Sequence, residues 1–362
     1  MKINKATKSN LQTLGIILAI CLFFYILFEI RLLIVFAFIA GVITLISRPL
    51  VLFFRNKLKL GNTFSSILTL MATTTFLSFM AYLFIPIIIE QGKNISEIDF
   101  DIVKTDLNEL NVQASDYLGL EKINFLEIIK ATDFVKNFNS EFILSFLDVV
   151  FNNIPNAVIG IFAVLFITFF LLKDDKLISR SVTVFADEGK ERRFLLVLHK
   201  SRILLTRYFV GITLQTLIIA ILYFILLYSL GIKNALAIAM VCAFLNVVPY
   251  LGPLIGGLAI CLIVVSFNLA SDFSSELLPQ LITVLIGVSI IQLIDNLISQ
   301  PIIFGQSVKS HPLEIFLVIF IGGLLTGILG MILAVPVYTT LKVISKEFFA
   351  EYKLVQQLTK NI

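Results

Sequence analysis

Five polar side chains, Ser289, Gln292, Asp295, Asn296 and Ser299, sit in an otherwise apolar run, the last four lying 3, 6, 7 and 10 residues beyond the first. At about 100° per residue, this spacing gathers them on one face of a helix. An ionisable group on such a span costs about 3 kcal/mol in hydrocarbon unless it meets water or a partner. Asp295 is therefore the strongest single candidate for chemistry. It carries a coupling charge that takes up and releases a proton or cation, or it glues helices or subunits by hydrogen bonds while staying hydrated near an interface.

A second constellation is Asn246, Pro249, Tyr250, Gly252, Pro253, Gly256 and Gly257. Pro249 and Pro253 each remove a backbone donor and disfavour helix in the residue before them, so one regular helix through the stretch is excluded. Carbonyls freed at membrane depth must be satisfied by protein or water, and such breaks line cavities and coordinate solutes. A tight interhelical turn at the membrane surface explains the same residues. Glu314, just after Pro312, is a weaker candidate, because a carboxylate at a helix start favours the dipole without any further role. His311 beside it reads as a surface histidine.

Other chemistries lack their residues. There is no His-Glu-x-x-His, no Gly-x-Ser-x-Gly and no second aspartate in an apolar run near Asp295, which argues against an intramembrane enzyme. The phosphate-binding Gly-x-x-x-x-Gly-Lys-Ser/Thr loop is also missing, so any transport draws on gradients. No cofactor and no metal site is expected. Cys21, Cys242 and Cys261 lie in apolar stretches without pairing spacing.

These residues need a membrane-embedded scaffold, and the composition demands one. Of 362 residues, 58% are hydrophobic and 14% charged, with a mean hydropathy of +1.00, more apolar surface than a soluble globule hides. The lipid bilayer is the expected solvent, and the basic residues flank apolar runs in a way that suits orientation rather than nucleic acid. The expected fold is all-α, a polytopic helical membrane protein of about eight spans including broken or re-entrant helices. The basic start followed by Leu11 to Phe28 resembles a signal peptide, but no small-residue cleavage pattern follows, and a helical hairpin with the run Leu32 to Phe54 is the simpler reading.

Six segments follow: three N-terminal membrane helices in 1–90, an acidic extramembrane insert in 91–150, a fourth helix in 151–172, a basic linker in 173–207, a core in 208–345 and a tail in 346–362. Within the insert, Ile123, Leu126, Ile129, Phe134, Phe138 and Phe142 recur at three- and four-residue steps, predicting amphipathic helices. Basic residues favour the cytoplasmic side, which orients both termini and the linker inward and the insert outward. Lys342, Lys346, Lys353 and Lys360 then require the run 313–344 to double back. The break is expected at Gly322, Gly323, Gly327 or Gly330, with Pro336 further along the same run. A single long tilted span with an exterior tail is the alternative, and 234–268 either spans twice or re-enters.

Pro249-Tyr-Leu-Gly-Pro253, Asp295-Asn296 with Pro301 and Gly305, His311-Pro312-Leu-Glu314, and Gly322-Gly323, Gly327, Gly330 and Ala334-Val-Pro336 resemble, in order and spacing, the autoinducer-2 exporter family, also called PerM-like permeases. The match is specific for about residues 205–345, and Arg48-Pro49, Tyr208 and Gly211 agree with it. One departure is Gln215, expected directly after Gly211. The resemblance implies a homo-oligomeric, all-helical inner-membrane transporter, some members being associated with autoinducer-2 export and others with exchange of sodium or lithium for protons. Asp295, with Glu314 as the weaker candidate, would then carry the coupling charge, with Gln292, Asn296, Asn246 and the carbonyls near Pro249 and Gly252 contacting the solute. A passive pore, or a membrane scaffold without coupled transport, is the competing reading.

Overall fold

A computed structural model describes residues 5–96, 109, 112–113, 115–117, 154–184, 186, 189, 191–248, 251–268, 272–301 and 310–359. The chain is 88% helical with no strand among the described residues, which establishes the all-α class. Among the described residues, four helices are long and apolar enough to cross a membrane: Arg31–Asn56, Asn62–Tyr82, Glu191–Ser229 and Phe273–Ser299. Five shorter apolar helices accompany them. The amphipathic helices expected across 118–150 lie outside the described residues, as do Pro249 and Tyr250.

Two compact units divide the chain, the first comprising Met1–Leu70 and Ile154–Asp175 and the second Met71–Asn153 and Lys176–Ile362. In the first, α1 (Lys5–Glu29), α2 (Arg31–Asn56), the opening turns of α3 (Asn62–Ser96) and α4 (Ile154–Lys173) are present. Small hydroxyl residues fill the buried positions: Thr44 and Ser47 on α2, Ser65, Ser66 and Thr69 on α3, Thr168 on α4. Such residues let backbones approach in the absence of a hydrophobic drive between helices. Their hydroxyls are satisfied locally, with Thr44 donating to the Ala40 carbonyl at 2.6 Å and Thr69 to that of Ser65 at 2.7 Å. The last carbonyls of a helix have no internal partner. At the end of α4, Arg55 supplies one by donating to the Leu172 carbonyl, while its other nitrogen pairs with Asp175 at 2.8 Å.

The second unit carries α5 (Leu177–Thr183), α6 (Glu191–Ser229), α7 (Ala235–Leu245), α8 (Leu251–Phe267), a π-helical turn Phe273–Leu277, α9 (Leu278–Ile294), a second π turn Asp295–Ser299, α10 (Pro312–Phe348) and α11 (Lys353–Leu358). No proline interrupts 191–229, so the basic stretch runs directly into the apolar one as a single helix of 39 residues. Its core face repeats every four residues through Gln215, Ile219, Tyr223 and Leu227, and packs on α7, α8 and α9. With 11 and 17 residues, α7 and α8 extend about 16 and 25 Å at 1.5 Å per residue, short of the roughly 30 Å hydrocarbon core. They form a broken pair. Asp272 opens the span that follows by accepting from the backbone amides of Ser274 and Ser275 and from both hydroxyls. These bonds, the Ser275 amide first, hold its carboxyl below the ordinary value, so the cap is kept above the acid range and weakens as pH falls through it.

The doubling back of 313–344 is present, and its break is confined to Thr326 and Gly327. Gly327 has φ 66° and ψ −144°, a conformation that a side chain strongly disfavours. Gly322, Gly323, Gly330 and Pro336, expected as further breaks, are helical. Gly322 and Gly330 instead face each other across the hairpin, where a Cβ on either would strike the other's carbonyl. Gly256 and Gly257 are likewise inside α8 rather than at a break. Gly256 abuts the backbone of Cys242 on α7, and a Cβ on Gly257 would meet Val288 on α9 at 3.3 Å. Close helix contact, not chain reversal, is what these glycines permit.

Two substitutions should separate these roles. Gly327→Ala meets open space and pays only for backbone strain, about 1–3 kcal/mol, whereas Gly330→Val must force the arms apart and should cost more than the strain alone. Thermal unfolding of the detergent-solubilised protein is the check, with the Gly330 variant melting lower.

Candidate functional site

The sequence places Asp295 on one stripe with Ser289, Gln292, Asn296 and Ser299, and the structure refines that stripe. From Asp295 the helix widens by one residue per turn, so the Gln300 amide reaches the Asp295 carbonyl five residues back. Such π turns are rare and occur frequently at functional sites. Asp295 and Ser299 are buried, continuing the inward line of Val284 and Ile291, while Asn296 and Ser289 are exposed. Ser289 spends its hydroxyl on the Leu285 carbonyl at 2.6 Å.

Asp295 is 1% exposed. Its Oδ1 accepts from Gln215 Nε2 of α6 at 2.7 Å, and its Oδ2 accepts from Asn246 Nδ2 at the end of α7 and from Gln300 Nε2, both at 3.3 Å. Gln292 extends the network by donating to Asn246 Oδ1 at 3.4 Å, and Gln300 also donates to Asn296 Oδ1 at 2.8 Å. Four of the expected residues therefore meet in one place: Asp295, Gln292, Asn246 and Asn296. Gly252 supports them from α8. It sits so close to the carbonyl of Leu245 and to Asn246 that a Cβ would collide with backbone, which fixes the end of α7 and with it the Asn246 side chain. Pro253 occupies the first turn of α8, where its missing N–H costs nothing.

The chemistry of this arrangement follows from charge. Amides hydrogen-bond both carboxylate oxygens but carry no net charge, and none of the ion pairs among the described residues includes Asp295. A buried carboxylate in that situation lacks a counter-charge. A proton or a cation can supply one, while the nearby amide oxygens, Asn246 Oδ1 and Asn296 Oδ1, accept from Gln292 and Gln300. No cluster suited to holding a resident metal ion occurs among the described residues.

Glu314 is placed elsewhere. It lies in the first turn of α10, where His311 Nδ1 caps the helix by accepting from the Leu313 amide at 3.2 Å. Glu314 Oε2 accepts from Tyr338 at 2.8 Å and from Lys342 at 3.2 Å, both on the returning arm. Lys342 is 5% exposed and donates to Ser310 as well, at 2.8 Å. Glu314 thus closes the base of the hairpin rather than joining Asp295, beyond the dipole role its sequence position suggests. Gln300 escaped the sequence reading, and Gln215 entered it only as a displaced glutamine without a role. Gln215 carried a visible signal: it is a lone amide on the buried four-residue repeat of an apolar run.

A family model described as AI-2E family transporter matches residues 14–350. YueF of Bacillus subtilis (strain 168) is 29% identical over 314 residues, covering 84% of this chain and 81% of its own. YrrI of the same organism is 32% identical over 183 residues, covering 51% and 49%. A Haemophilus influenzae protein is 26% identical over 242 residues, covering 65% and 66%. All three are provisionally named transport proteins.

Removing Glu314 alone should destabilise the hairpin by leaving the Lys342 ammonium buried, though by less than the roughly 3–5 kcal/mol of a fully buried pair, since Glu314 is one-third exposed. Replacing both, as Glu314→Gln with Lys342→Met, should recover much of the loss. Unfolding midpoints of the two single variants and the double variant form the cycle that tests it.

Proposed function

We propose, since this chain belongs to the AI-2E transporter family, that it moves a small solute outward, or exchanges sodium or lithium for protons, driven by an ion gradient and coupled through Asp295. The observation that carries this reading is the buried Asp295 carboxylate, held by neutral amides from α6, α7 and its own helix and by no cation among the described residues. A proton or cation arriving there changes the charge of a network that ties three elements together. Its arrival and departure therefore bear directly on how those elements pack, which is what a coupled transporter requires.

Asn246, Gln292 and Gln215 supply amide oxygens and nitrogens that reorient as the carboxylate gains or loses its partner. The short helices α7 and α8 meet beside the site, with Gly252 of α8 against the Leu245 carbonyl and Asn246. Basic residues at 55–59, 173–207 and in the tail support an inner-membrane protein with both termini in the cytoplasm. Family kinship supports a homo-oligomer.

Flux in proteoliposomes tests the proposal. With a pH gradient imposed and sodium, lithium or autoinducer-2 added in turn, the wild type should move protons in response to one of them. Asp295→Asn keeps hydrogen-bonding atoms but removes the charge, and should lower that response by more than about tenfold, the scale of a lost charged hydrogen bond. Flux that ignores every added species, or that survives in Asp295→Asn, points to a passive pore. No flux at all points to a scaffold.

A further inference from the structure

Tyr223 lies two turns beyond Gln215 on the buried face of α6 and is fully enclosed, at 0% exposure. Its hydroxyl makes no hydrogen bond. Around the ring the packing is apolar, with Ile219 and Leu227 on the same helix and Cys242 of α7 in the same core. The polar neighbours of the hydroxyl are the Gln292 side chain, which approaches without hydrogen-bonding geometry, and beyond it the Asp295 carboxylate.

A buried hydroxyl left unpaired opposes folding, and native proteins keep very few. Phenylalanine would fill the same space without that penalty. Nothing in the packing of this core calls for the oxygen atom, so a ligand that is present only part of the time is the physical reason to retain it. Position agrees. Gln300, Asp295, Gln292 with Asn246, and then Tyr223 form a series of polar groups leading from the end of the span into the core. Tyr223 is its innermost member.

We propose that the Tyr223 hydroxyl is a ligand contact of the Asp295 site, hydrogen-bonding an oxygen atom of the translocated species and so setting its affinity. That oxygen belongs to a solute hydroxyl or to water carried by a cation. The phenol can donate one hydrogen bond and accept others, so either source completes it. The inference rests on the transport reading above and adds to it a specificity-determining residue on α6.

Tyr223→Phe tests it, assayed beside wild type and Asp295→Asn in the same proteoliposomes with sodium, lithium and autoinducer-2, together with thermal unfolding. Expected is a variant that melts at or above the wild-type temperature and whose KM for the transported species rises about tenfold, one lost hydrogen bond to a ligand, with a smaller change in the saturated rate. A shift seen with autoinducer-2 assigns the contact to a solute oxygen, and one seen with sodium or lithium assigns it to hydration water. An unchanged KM in every arm while Asp295→Asn is inactive overturns the role of Tyr223 and leaves the transport reading standing. A lowered melting temperature accompanying the loss also overturns it, since the hydroxyl would then be structural. Absence of wild-type flux, or flux indifferent to Asp295→Asn, removes the transport reading and this inference with it.

Discussion

The hydrogen bond from Gln215 to Asp295, 2.7 Å long and sealed from solvent, joins the longest helix of the chain to a turn that is wound too wide. In hydrocarbon neither group has water to fall back on, so each must find its partner within the protein. That requirement sets the arrangement around it. Regular helix spacing from Val284 and Ile291 brings Asp295 inward, and the early end of α7 is needed to bring Asn246 to its second oxygen. Gly252 is needed so that α8 can start directly against that end. Remove the carboxylate and the amides of three elements lose their common acceptor. Such a network is stable as a whole and costly in part, which suits a site that must respond to one arriving charge.

The hairpin of α10 solves a different problem with different means. Its arms lie against each other through Gly322 and Gly330, and its base is closed by Lys342, Glu314, Tyr338 and Ser310. Here the buried charge has its counter-charge built in. The contrast with Asp295 is informative, because Asp295 has no ion-pair partner among the described residues, whereas the Lys342–Glu314 pair holds two arms together.

Much of this was legible in the sequence, for reasons that can be named. Long apolar runs are dictated by bilayer thickness, so the helical class could be read directly, whereas the hairpin of 313–344 rested on the tail lysines and competed with a single tilted span until Thr326 and Gly327 were seen to break it. Asp295 stood out because an acid inside an apolar run has few explanations. The exact partners were not legible, since Gln215 is 80 residues from Asp295 in sequence and helical periodicity says nothing about which helix packs on which. Ser289 and Asn296 shared the stripe by ideal helix spacing, but they flank the buried line of Val284, Ile291, Asp295 and Ser299, and spacing alone does not say which edge of a stripe faces the protein. The glycines misled in one respect. A glycine permits a turn or a very close helix contact, and Gly256, Gly257, Gly322, Gly323 and Gly330 serve the second, Gly327 alone of these candidates adopting the conformation that demands glycine. Tyr223 was invisible as a candidate, because an aromatic at core spacing looks like core until its hydroxyl proves to have no partner.

The central claim is that Asp295 exchanges its partner during transport, and carbodiimide labelling followed by mass spectrometry measures this at the residue itself. An apolar carbodiimide reacts with a protonated carboxyl in an apolar setting. The account predicts modification of Asp295 in membranes that is suppressed by whichever of sodium, lithium or autoinducer-2 is transported. Modification that none of these affects, or a carboxyl that never reacts, would show a fixed structural acid and contradict the account.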